Sequence, residues 1–173
     1  NAATAIAAVE LFLGEGLRPI ADEVLRSALA DAVSPGRLQV VSKEPLVVLD
    51  GAHNPAGMAS LTAAINESFN SPKTLGLVAM LADKDLSGTI AELAKSFDQV
   101  ICTQPESPRG LPAGELAQIC EDHGIEVLAI EPSVTAAYKL ANRLAAEEKA
   151  ALFVTGSLYL IGDVLKYIQD QRL

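Results

Sequence analysis

Leu46-Val47-Val48-Leu49 is an apolar run that stops at a carboxylate, a glycine and an imidazole in Asp50-Gly51-Ala52-His53, followed by Asn54-Pro55. Four consecutive apolar residues suit a strand buried on both faces, as in a parallel sheet covered by helices, and Asp50 then falls at its carboxyl end. Ligands bind at that edge in open α/β sheets. Gly51 lets the backbone turn sharply, Asn54 is a good N-cap, and Pro55 fits the first helical position because its missing N–H would have no intrahelical partner. Asp50 can accept a hydrogen bond from a ligand hydroxyl or a metal-bound water; as readily, it can bond neighbouring backbone amides in a turn. His53 can face an anionic ligand or fill the helix entry. One imidazole makes neither a metal site nor a triad.

Two further strand ends carry candidates, Asp83-Lys84-Asp85 and Thr155-Gly156-Ser157. In a parallel sheet all carboxyl ends open on one crevice, so residues far apart in sequence can meet one ligand there. Lys84 is either an ion-paired surface residue or a cation for a carboxylate or phosphate. Ser157 enters the last helix, where free amides attract an anion by roughly 0.3 to 1 kcal/mol per charge; plain N-capping explains the same residues. Arg37, after Pro35-Gly36, and Arg109, in Ser107-Pro108-Arg109-Gly110, are surface charges or phosphate contacts. No Gly-x-x-x-x-Gly-Lys-Ser/Thr loop is present, and no Gly-x-Gly-x-x-Gly follows a strand. The chain therefore has no self-sufficient triphosphate cradle.

The elements that must position these groups alternate. Apolar patterning predicts strands over 38–42, 45–49, 74–81, 99–103, 125–130 and 151–154. Between them lie helices whose stripes are Met58/Leu61/Ile65, Leu86/Ile90/Leu93/Phe97, Val134/Tyr138/Ala141/Leu144 and Leu158/Ile161/Val164/Ile168, with one more over 112–122. This is an α/β fold: a Rossmann-like, open, mostly parallel sheet with helices on both faces. The connection between the first two strands is too short for a parallel crossover, so they form an antiparallel hairpin at one edge. Helices are also expected near the N-terminus, with Ile6, Val9 and Leu13 on an apolar stripe, and over 20–33. A break at Ser34-Pro35-Gly36 separates residues 1–33 from a domain over 34–173.

The chain has 173 residues, 50% of them hydrophobic and 20% charged, as expected of a soluble globular protein. Its 13 basic and 22 acidic residues give a net charge of -9 without basic clustering, which argues against nucleic acid and anionic membrane as partners. No run approaches the roughly 20 apolar residues of a membrane span. Cys102 and Cys120 lack metal-ligand spacing and read as reduced, packed thiols in a cytoplasmic protein. No metal site is expected among these residues. The N-terminus has neither a basic leader nor an initiator methionine and opens inside a helix, which suggests a piece of a longer protein.

Together these segments resemble the carboxyl-terminal part of the folylpolyglutamate synthases, the folate branch of the Mur ligase superfamily, some of which are also dihydrofolate synthases. The resemblance rests on Pro35-Gly36-Arg37, Leu49-Asp50-Gly51-Ala52-His53-Asn54-Pro55, Ala82-Asp83-Lys84-Asp85, Ser107-Pro108-Arg109 and Val154-Thr155-Gly156-Ser157-Leu158-Tyr159, in the family's order. Asn1-Ala2-Ala3-Thr4-Ala5 is similar to the asparagine-alanine motif of the helix closing that family's central ATPase domain, so the likeness covers essentially the whole chain. It implies that residues 1–33 end the central domain and 34–173 form the glutamate-ligase domain, which packs on it and closes over ATP and Mg2+. The family joins L-glutamate to folate or dihydropteroate through an acyl phosphate. By resemblance, Asp50 holds the ATP ribose, Arg37 the phosphates and Asn1 the adenine side, with His53 beside the nucleotide and the reacting groups. Lys84 and Ser157 take the carboxylates of the incoming glutamate. The metal ligands, the phosphate loop and the folate loop belong to the rest of such an enzyme, so this chain alone is expected to be inactive. The alternatives are the same domain from a cell-wall Mur ligase, against which the Asp50–Pro55 context argues, and a free-standing Rossmann-like binding module.

Overall fold

A computed structural model describes residues 2–14, 18–69 and 73–171. The chain divides into two compact units, Asn1–Pro35 and Gly36–Leu173. The first contains α1 (Ala2–Gly14) and α2 (Asp22–Asp31), and neither helix buries a residue. Glu10 accepts a hydrogen bond from Ile20 N at 3.0 Å. α1 forms over the segment carrying Ile6, Val9 and Leu13, and Val9, Leu11, Phe12 and Leu13 are exposed on it.

The second unit is built on six strands: β1 (Gln39–Lys43), β2 (Leu46–Leu49), β3 (Thr74–Val78), β4 (Gln99–Cys102), β5 (Glu126–Ile130) and β6 (Ala151–Thr155). They lie in the order β1-β2-β6-β3-β4-β5. β1 and β2 pair antiparallel as an edge hairpin and the other pairings are parallel, as the patterning required. The helices are α3 (Pro55–Ser68), α4 (Leu86–Leu93), α5 (Ala113–Asp122), α6 (Val134–Glu148) and α7 (Leu158–Asp170).

Alternate residues of each strand feed two cores. Val48, Phe153, Val78 and Val100 face the cluster closed by α3, α4 and α5, whereas Val47, Val154, Leu77 and Ile101 face the cluster closed by α6 and α7. Phe153, on central strand β6, packs edge-on against Phe69 and Phe97, with ring centroids 5.3 and 5.8 Å apart. Cys102 and Cys120 are buried and free in the first core, with Sγ atoms 4.0 Å apart. The contact with Cys120 and then burial push the Cys102 thiol pKa upward, so it packs as a neutral thiol. Among the described residues no helix is long and apolar enough to cross a membrane.

Three local expectations change. β3 ends at Val78; Ala79 N still donates to Thr155 O at 3.3 Å, and beyond it the chain pairs with the loop after β4, where Leu111 N donates to Met80 O at 2.9 Å and Leu81 bridges Gly110. α4 ends at Leu93, and Phe97 reaches the core from the following turn. Leu158 is 50% exposed, and α7 buries Leu160, Ile161 and Val164 instead. Leu158 covers the strand-end loop, since a Cβ on Gly51 would fall 2.3 Å from its Cδ2.

Candidate active site at the carboxyl ends of β2, β6 and β3

Because β6 lies between β2 and β3, the three loops singled out in the sequence leave adjacent strands. Gly156 N donates to Ala52 O at 2.9 Å, so the turn after β6 is tied to the loop after β2. On its other side that turn touches the end of β3. Gly156 has φ +98°, and a Cβ there would fall 2.4 Å from Ala79 O. Both the conformation and the space require glycine.

Asp50 is 8% exposed. Its Oδ1 accepts from Ala52 N and its Oδ2 from Leu38 N, each at 2.9 Å. Gly51 N donates to Gly36 O at 2.7 Å, completing a clasp between the strand end and the segment Gly36-Arg37-Leu38. Leu38 holds φ +44°, a left-handed conformation that the bond to Asp50 helps to maintain. The clasp sets Arg37 beside the loop, with its Nη1 3.4 Å from the position of a Cβ on Gly51. The Arg37 side chain is exposed, and among the described residues its guanidinium has no hydrogen-bond or ion-pair partner. Asp50 thus does form the backbone-bonded turn that its position allowed. Each carboxylate oxygen accepts one of these bonds and keeps a second lone pair.

His53 is half-buried, with Nδ1 2.8 Å from Gly51 O. A carbonyl only accepts, so Nδ1 carries a proton and donates it to Gly51 O, which leaves Nε2 as the ring nitrogen without a partner among the described residues. Asn54 Oδ1 accepts from Gly57 N at 2.8 Å and caps α3, with Pro55 as its first residue.

Lys84 is half-buried and makes no ion pair with the acids on either side. Asp85 caps α4 by accepting from Gly88 N at 2.9 Å, and Asp83 pairs with Arg109 at 2.9 Å. The local ion pair that adjacency suggested for Lys84 is absent. Ser157 is 1% exposed, and its Oγ accepts from Tyr159 N at 3.2 Å, so the hydroxyl caps α7. Asn1 lies outside the described residues.

Tyr159 carries no role in the sequence reading. Its Oη is 3.4 Å from Arg109 Nη2 in a contact spanning 50 residues, which local patterning could not reveal. The bond to Tyr159, then the charge of Asp83, holds the Arg109 guanidinium pKa above its usual value. A hollow of about 860 Å³, bordered by Pro45, Leu46, Phe69, Ala145 and Lys149, opens at the opposite, amino-terminal edge of β2 and β6. None of the candidate site residues lines it.

Comparison with known proteins assigns the family. The family described as "Mur ligase, glutamate ligase domain" matches residues 36–158, more than half of the chain. This chain belongs to that family. The match begins at Gly36, the first residue of the second compact unit. The chain is 33% identical over 174 residues to the dihydrofolate synthase/folylpolyglutamate synthase of Escherichia coli K12, covering 99% of this chain and 38% of that protein. It superposes on an E. coli FolC structure in complex with DHPP and ADP with a TM-score of 0.86, at 31% identity, covering 99% of this chain and 39% of that one. A bifunctional folylpolyglutamate synthase/dihydrofolate synthase with Mn, AMPPNP and L-glutamate bound gives 0.78 at 32% identity, covering 96% and 38%. The chain thus spans less than two fifths of these relatives' lengths.

Proposed function

We propose that this chain is the glutamate-ligase domain of an ATP-dependent ligase that joins L-glutamate to folate or dihydropteroate. The observation that carries the reading is the lacing of three loops at one sheet edge, with two cations, Arg37 and Lys84, left without partners among the described residues. Such an edge suits a ligand set rich in phosphate and carboxylate, and the names of the relatives favour the folate branch over the cell-wall branch. In the reaction, the substrate carboxylate takes the γ-phosphoryl group of ATP and releases ADP; the amine of glutamate then attacks the acyl carbon and expels phosphate. The acyl phosphate must be kept from water and the amine held in line, and orientation of this kind contributes roughly 7 to 11 kcal/mol.

In this reading Arg37 binds ATP phosphates, Asp50 uses its remaining lone pairs for the ribose hydroxyls, and His53 lies beside the nucleotide and the reacting groups. Asn1 serves the adenine side. Lys84 takes a carboxylate of glutamate. Ser157 is the weaker candidate for the same ligand, because its buried hydroxyl already accepts from Tyr159 N. Mg2+ supplies charge neutralisation on the phosphates when bound. Most of its ligands are assigned to the central domain, and among the described residues no group of three or more His, Cys, Asp or Glu side chains converges. Residues 1–33 are assigned to the end of a central ATPase domain.

Steady-state kinetics of the whole ligase test this assignment. Lys84→Ala should raise the KM for L-glutamate about tenfold or more with little change in the KM for ATP, the loss expected when a charge-assisted bond to substrate is removed. Asp50→Asn should act on the KM for ATP, and His53→Ala should lower kcat. The purified 173-residue chain should show no ligation. A Lys84 variant in which only the folate KM moves overturns the glutamate assignment, and ligation by the chain alone overturns the divided site.

A further inference from the structure

Asp83-Lys84-Asp85 sets one cation between two carboxylates, and adjacency alone favours an internal ion pair. Both acids are held elsewhere. Asp85 Oδ1 accepts from Gly88 N at 2.9 Å at the start of α4. Asp83 Oδ2 accepts from Arg109 Nη1, also at 2.9 Å, across 26 residues. An exposed ion pair by itself holds little, but Arg109 is also fixed by its backbone and by a third group. Ala82 N donates to Arg109 O at 2.9 Å, which draws the loop after β4 onto the loop after β3. Arg109 Nη2 lies 3.4 Å from Tyr159 Oη on the first turn of α7. Arg109 therefore ties together the loops after β3 and β4 and the first turn of α7.

We infer that Arg109 is a positioning residue for Lys84: by engaging Asp83 it keeps the Lys84 ammonium unpaired and available to a carboxylate-bearing ligand. The ligand class rests on the reading of Lys84 as a glutamate contact; the withholding of Asp83 does not. Without Arg109 the triplet carries two negative charges and one positive, in a chain whose net charge is already -9, and it would repel an anion. With Arg109 the four groups are neutral together, and one cation stays free. A ligand carboxylate then meets an ammonium that need not first leave a neighbour.

The rate of reductive methylation of the Lys84 amine, measured in the whole chain by peptide mass spectrometry, tests this directly, because an ammonium paired with a carboxylate reacts more slowly. Arg109→Met should slow methylation of Lys84 about twofold to fivefold, the factor corresponding to one exposed ion pair. Arg109→Met combined with Asp83→Asn should restore the original rate, a rescue that general loosening of the loop would not produce. An unchanged rate in Arg109→Met, or a double variant as slow as the single one, overturns the inference. If the labelling follows this pattern while Lys84→Ala leaves the KM for glutamate unchanged in the whole ligase, the positioning role stands and the glutamate reading falls.

Discussion

Asp50 is where local structure and chemistry meet in one side chain. Its oxygens accept from Ala52 N on its own loop and from Leu38 N, 12 residues earlier, so the carboxylate fastens Gly36-Arg37-Leu38 to the end of β2. That fastening places Arg37. The backbone-bonded turn and the placing of Arg37 are therefore one arrangement, and in the proposed function the lone pairs that Asp50 keeps are the ones a ribose would use. Asp50→Ala leaves two amides without their acceptor and should cost about 2 to 4 kcal/mol in urea unfolding. Asp50→Asn, which keeps one acceptor oxygen, should cost less. An Asp50→Ala chain as stable as the original would mean that the carboxylate is there for the ligand alone.

At the scale of elements, α7 carries a group whose charge works against it. Burial raises the pKa of Asp163, an effect only partly offset by the hydrogen bond from Glu106 N, while the Glu106 carboxylate adds repulsion and Lys166 opposes it. Asp163 Oδ2 is buried without a hydrogen-bond partner. A carboxyl whose folded-state pKa lies above its unfolded value destabilises the fold where it is ionised, and the penalty fades as pH falls through the carboxylate range. Asp163→Asn keeps an oxygen for Glu106 N and should raise stability slightly at pH 7, solvent screening keeping the gain small. The gain should be lost near pH 3, as comparison of Tm at the two pH values will show. A lower Tm at pH 7 would mean that the charge on Asp163 strengthens the Glu106 contact by more than its desolvation costs.

The whole molecule shows why β6 matters more than its length suggests. It is the last strand in sequence, yet it lies between β2 and β3 and supplies residues to both cores. Phe153 is the side chain through which β6 meets Phe69 and Phe97. Phe153→Ala should cost about 3 to 5 kcal/mol in urea unfolding, with the loss of cooperativity that comes from a void beneath the central strand. Loss below about 1 kcal/mol would show that the aromatic cluster refills the space. Much of this architecture was legible in the sequence. The Leu46–Leu49 run suited a strand covered on both faces, Asn54-Pro55 suited a helix start, and the short link between β1 and β2 excluded a parallel crossover. These are local constraints of backbone and solvent, set within a few residues. The partners of the charged groups were not legible, since Asp83 meets Arg109 across 26 residues and Arg109 meets Tyr159 across 50. Chain adjacency pointed Lys84 toward its flanking acids, but the cap of α4 takes Asp85 and the packing of the strand-end loops takes Asp83. The residue types and their edge of the sheet were thus determined by the sequence alone; which charges are paired and which remain free was decided only when the sheet order brought distant loops within hydrogen-bond reach, because periodicity records which face a residue takes and not which charge it meets.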